Sequence, residues 1–66
     1  MQIQLNGEAR TLTPDLTVAE LVESLGLAGR RIAVEVNEEI VPKSAHGEIR
    51  LAEGDRVEVV HAIGGG

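Results

Sequence analysis

The chain has 66 residues, no aromatic residue, no cysteine, and a net charge of −5 from 6 basic and 11 acidic side chains. These figures exclude more than one domain, a disulfide framework or thiolate metal site, and a nucleic-acid surface, which needs clustered Lys and Arg against phosphates and aromatics against bases. A chain this short buries only about 60% of the surface its unfolded form exposes, so Val, Ile, Leu and Ala must build the core.

Met1, Ile3 and Leu5 alternate with Gln2, Gln4 and Asn6. That period of two predicts a half-buried strand. Asn6-Gly7 then signals a two-residue hairpin, because a type I′ turn needs positive φ at both central positions. The second strand is expected over 8–12. A strict two-residue turn sets Glu8 opposite Leu5 on one face, so either Glu8 sits at an open sheet end or the loop is longer. Thr13-Pro14-Asp15 breaks the strand.

Thr17 and Glu20 have the spacing of a capping box. Val18, Leu21, Val22 and Leu25 follow at i, i+3, i+4 and i+7, the template of an amphipathic helix. Gly26 stands where helices end in a left-handed residue, so the helix is expected over 18–25. Ile32, Val34 and Val36 alternate with polar or small residues as a third strand. Asn37-Glu38-Glu39 turns the chain, and Ile40-Val41 form a short edge strand that Pro42 stops. Residues 43–55 read as loop with one short turn. Arg56 to Val60 is the last strand, continued by His61-Ala62-Ile63, and Gly64-Gly65-Gly66 ends the sequence.

One helix covers one face of one sheet, which predicts a two-layer α+β domain. With the last strand central and parallel to the first, this is the β-grasp arrangement of a ubiquitin-like fold. The sheet is mixed, of four to five strands. The domain is expected over 1–63, with 64–66 as a flexible glycine tail. The expected core is Ile3, Leu5, Leu12, Val18, Leu21, Val22, Leu25, Ile32, Val34, Val36, Leu51, Val57 and Val59. No charged region with a long apolar stretch marks export and no run is long enough to span a bilayer. The expected location is the cytoplasm.

The terminal glycines carry the chemical argument. Glycine loses the most entropy on ordering and packs no side chain, so a frayed end or an added remnant is the plain alternative. Against it, the tail leaves a strand without a linker and ends in a carboxylate with no side chain beside it. A bare backbone fits a channel that a Cβ would block. Residues 63–66 reach on the order of 13 Å when extended, enough to thread a carboxylate into another enzyme while the body stays outside. An α-carboxylate is ionised at neutral pH and a poor electrophile. It needs activation, for example as an acyl-adenylate made from ATP, before sulfur can replace an oxygen. No step needs a catalytic residue on this chain.

The opening Ile3-Gln4-Leu5-Asn6-Gly7-Glu8, the helix Thr17-Val18-Ala19-Glu20-Leu21, the segment Val34 to Pro42 with its Val-Asn-x-x-Ile-Val-Pro pattern, and Gly54-Asp55 running through a strand into Gly64-Gly65-Gly66 together resemble the ThiS family of sulfur carriers. The resemblance covers the whole chain. It implies a carrier rather than an enzyme, serving thiamine thiazole biosynthesis. A ThiF-type adenylyltransferase would adenylate Gly66 with ATP and Mg²⁺, which the partner uses and this chain does not bind. Sulfur would come from cysteine through a desulfurase, and a ThiG-type thiazole synthase would take it from the Gly66 thiocarboxylate. Lys43 replaces the Arg more usual after the proline, and Gly64 replaces a common Ala. A carrier for a molybdopterin-like pathway, a covalent protein modifier and a β-grasp module with an inert tail are the other readings.

His46 and His61 are too few and too far apart for a zinc site, and no metal ligand set is expected. Glu38-Glu39 lacks the calcium-loop pattern, and Gly26 and Gly29 lack that of a phosphate loop. Arg30-Arg31 reads as surface charge after the helix. If Val57 and Val59 face the helix, Val60 and Ala62 point away from it. With Ile63 they would form an apolar docking patch beside the tail. Scattered surface aliphatics are the alternative.

Overall fold

The computed structural model describes residues 1–61. Its elements are β1 (Gln2–Leu5), β2 (Glu8–Thr11), α1 (Val18–Ser24), β3 (Ile32–Val36), β4 (Glu39–Val41), a 3₁₀ turn (Lys43–Ala45) and β5 (Arg56–His61). The strands form one five-stranded sheet in the order β2-β1-β5-β3-β4. β1 and β5 run parallel, and the other pairs are antiparallel.

The Asn6-Gly7 turn is the strict two-residue form, with φ of 50° and 83°. Leu5 pairs with Glu8 as that turn dictates. Of the two options for Glu8, the open sheet end holds, because every residue of the edge strand β2 is exposed. The β3–β4 turn has the same form. Asn37 and Glu38 have φ of 52° and 70°, and Val36 pairs with Glu39.

α1 begins with the expected capping box. The Thr17 N–H donates to the Glu20 carboxylate at 2.9 Å, and the Glu20 N–H donates to Thr17 Oγ1 at 3.1 Å. The two preceding helical N–H groups, on Val18 and Ala19, donate to the carbonyls of Ile49 and His46. The segment after β4 thus satisfies donors that a helix N-terminus leaves open. At the other end Gly26 has φ of 74°. Its N–H donates to Glu23 O, and the Leu27 N–H to Val22 O. That pair of bonds is a Schellman motif, and it makes Leu25 the C-cap rather than a helical residue.

The helix lays Val18, Leu21 and Val22 against Ile3, Leu5, Val34, Val57 and Val59 of the sheet, and Leu51 closes the cluster. Fully burying such a side chain contributes roughly 1.5–3 kcal/mol. Two adjustments to the expected core follow. Leu12, Leu25, Ile32 and Val36 are only half-buried at its rim. Val41 is buried, because its register opposite Val34 turns it to the helix side.

Candidate functional site

The tail leaves from β5, so the site is built from this strand outward. β5 is central, with β1 on one edge and β3 on the other. Val57 and Val59 point to the helix and are buried, whereas Arg56, Glu58 and Val60 lie on the opposite, open face. Val60 is 52% exposed. This is the orientation expected for it. Ala62, Ile63, Gly64, Gly65 and Gly66, the other expected site residues, and with them the boundary between domain and tail, lie outside the described residues.

The sheet register assembles a face that the sequence did not spell out. Val60 is opposite Ala33, and Glu58 is opposite Glu35, which in turn is opposite Ile40. Residues directly opposite share a face, so Val60, Ala33 and the 72% exposed Ile40 surround the acidic pair Glu35–Glu58. The signal for this was the strand alternation itself, but it becomes a surface only when the strand order is known.

Both ends of β5 are held by asparagine side chains. At its start, Asn37 Oδ1 accepts from the Arg56 N–H at 3.0 Å and Asn37 Nδ2 donates to Asp55 Oδ1 at 3.0 Å. The second Asp55 oxygen accepts from the Ala52 N–H at 2.8 Å, which shapes the loop entering β5 around Gly54 at φ 84°. Toward its end, Asn6 Oδ1 accepts from the Val59 N–H at 2.9 Å and Asn6 Nδ2 donates to the Val59 carbonyl at 3.3 Å. In both cases a turn has taken the asparagine's own backbone carbonyl out of line, and the carboxamide takes over the bond that the carbonyl would have made.

His46 Nε2 lies 3.2 Å from the Val41 carbonyl, and His61 is exposed at the end of β5. Among the described residues no three His, Cys, Asp or Glu side chains gather in a metal-binding group. An apolar hollow of about 290 Å³, lined by Val36, Ile40, Val41, Pro42, Ala45 and Ile49, lies near the β3–β4 turn. That is the end of the sheet where β5 starts, opposite the end at His61. Among the described residues no helix is long and apolar enough to cross a membrane.

One helix across a mixed five-stranded sheet, with the first and last strands parallel and adjacent, makes this a ubiquitin-like β-grasp protein whose final segment leaves from a central strand. Residues 3–66 match the ThiS family. The chain is 37% identical to the sulfur carrier protein ThiS of Bacillus subtilis, over 97% of this chain and 98% of that one. It superposes on the crystal structure of the thiamine biosynthesis protein ThiS of Geobacter metallireducens with a TM-score of 0.87 and 32% identity, each chain covered completely. It is also 44% identical over its whole length to a thiazole synthase of Paramagnetospirillum magneticum, of which it spans only 20%. The chain belongs to the ThiS family.

Proposed function

We propose that this protein is a sulfur carrier of thiamine biosynthesis whose cargo rides on the carboxylate of Gly66. The observation that carries the reading is the full-length likeness to a sulfur carrier protein ThiS, on a fold whose last described element is the central strand ending at His61. In the proposed cycle a Gly66 carboxylate oxygen attacks the α-phosphorus of ATP and pyrophosphate leaves. A persulfide sulfur then attacks the acyl carbon and AMP leaves. A thiol cleaves the resulting acyl disulfide, which releases the thiocarboxylate. The activating enzyme, a ThiF-type adenylyltransferase, supplies the ATP and Mg²⁺ chemistry, and a cysteine desulfurase supplies the persulfide.

A thiazole synthase is the proposed acceptor. Support comes from the segment resembling this whole chain within a protein named thiazole synthase. Val60 on the open face, with Ala62 and Ile63 following it, is the proposed docking patch, and Gly64 and Gly65 thread the channel. The Glu35–Glu58 pair beside Val60 suits a partner with basic side chains around an apolar centre.

The test is intact-mass analysis after incubation with ATP, Mg²⁺, the activating enzyme and a sulfur donor. The expected product has one oxygen replaced by sulfur at Gly66. A variant lacking Gly66 should keep the fold and lose loading. Continued loading of that variant would refute the proposal.

A further inference from the structure

β5 is paired with β3 from Val36–Val57 to Ile32–His61. Its other edge is different. Pairing with β1 stops at Leu5–Val57, and the last main-chain bond on that side runs from the Asn6 N–H to the Val57 carbonyl at 2.9 Å. There β1 turns away into its hairpin. The N–H and C=O of Val59, a residue only 9% exposed, would then face an empty edge. The Asn6 carboxamide satisfies both of them, 53 positions away in sequence. Unmade bonds of this kind are expensive when water is restricted.

We infer that Asn6 is a positioning residue for the tail: its carboxamide replaces the strand that β1 ceases to be, and so fixes the last stretch of β5, from which the tail leaves next to Val60. The inference rests on the carrier reading above. Two things must reach a partner together, the open face that docks and the carboxylate that reacts. β5 holds the first as Val60, one residue after the clamped Val59, and is the last described strand before the second. With the Asn6 carboxamide gone, β1 still holds β5 as far as Val57, but the stretch beyond is held by β3 alone and can swing about it. The body would still dock, but the tail would start from the wrong place. The carboxylate is on Gly66, well beyond Val59 in sequence, so the loss falls on how often a docked carrier's tail enters the partner's site.

Asn37 provides the control, because its carboxamide makes the same kind of bonds at the opposite end of β5, far from the tail. The experiment compares adenylation kinetics of the parent chain, Asn6→Ala, Asn6→Asp and Asn37→Ala with the activating enzyme, at a temperature where circular dichroism shows each folded. Amide exchange of Val59 and Arg56 is followed in parallel. The expected result for Asn6→Ala is a loss of kcat on the order of tenfold with KM unchanged and faster Val59 exchange. Asn37→Ala should speed Arg56 exchange and leave kcat alone. Asn6→Asp keeps an acceptor for the Val59 N–H and should fall between, and it carries the test if Asn6→Ala does not fold. Equal kcat for the Asn6 and Asn37 variants, with Val59 exchange accelerated, overturns the positioning role while leaving the carrier reading intact. A parent chain that is never adenylated overturns the carrier reading, and the positioning role with it.

Discussion

The two hairpin turns are near copies in backbone and unlike in what surrounds them. Both open with asparagine in the left-handed region, at φ of 50° for Asn6 and 52° for Asn37. Both asparagines send their side chains across to β5. Yet Asn6 clamps the half-buried outgoing end, and Asn37 the exposed incoming end. Their second residues differ as well. Gly7 takes φ of 83° without a side chain, while Glu38 takes φ of 70° with one. The local turn therefore fixes what the backbone does, and the neighbouring strand fixes how much the asparagine is worth.

Removing each carboxamide tests that contrast most severely. Asn6→Ala strips both Val59 groups of their partner and is expected to cost about 2 kcal/mol, lowering Tm by about 10 °C. Asn37→Ala exposes its orphaned groups to water and should cost about 1 kcal/mol. Denaturant unfolding of the two variants measures the difference, and equal losses would break the comparison.

The second turn residues give smaller effects of opposite sign. Glu38→Gly should stabilise by about 1 kcal/mol by relieving a left-handed side-chain conformation. Gly7→Ala should destabilise by a similar ~1 kcal/mol for the converse reason. A Cβ at Gly7 meets nothing within 4 Å, so backbone strain is the whole cost there. Thermal melts of both variants check the signs.

The smallest expected effect lies at the Thr17 capping box, where the acceptor is a carboxylate instead of an amide. The Thr17 N–H, and secondly the Thr17 hydroxyl, hold the Glu20 carboxyl below its ordinary pKa; partial loss of hydration opposes them, and Arg50 adds a still smaller lowering. A depressed folded pKa contributes stability that is present above the unfolded value. It is lost as pH falls through the lowered folded value. Glu20→Gln should therefore flatten a shallow loss of stability on the acid side of the usual glutamate range. Unfolding titrations of the two chains across that range decide the point, and identical slopes would exclude the effect.

Some of this molecule could be read from single residues. Asn6-Gly7 marked a hairpin turn without settling its length, Thr17 with Glu20 a helix start, and Gly26 a helix stop, because each signal depends on contacts within a few residues. Other features were out of reach. Val41 belongs to a strand of three residues, too short for its alternation to reveal a face, and its burial depends on the pairing with Val34. Residues 43–55 read as loop, and that is their local character apart from the turn Lys43–Ala45. Their second role, lending the His46 and Ile49 carbonyls to the start of α1, has no local signature. The open face of Val60, Ala33 and Ile40 around two glutamates was equally hidden, since its members come from three strands.

By itself the sequence determined the elements, their order, the buried stripes of β1, α1, β3 and β5 and the glycine end that suits a carrier, because steric preference and hydrophobic period act over a few bonds. The tertiary structure alone decided the Glu8 register, the capture of Val59 by Asn6 and the open face that Val60 shares with Ala33 and Ile40. Those depend on which backbone groups lie opposite one another after the chain has closed, and partners 53 residues apart leave no mark on the letters between them.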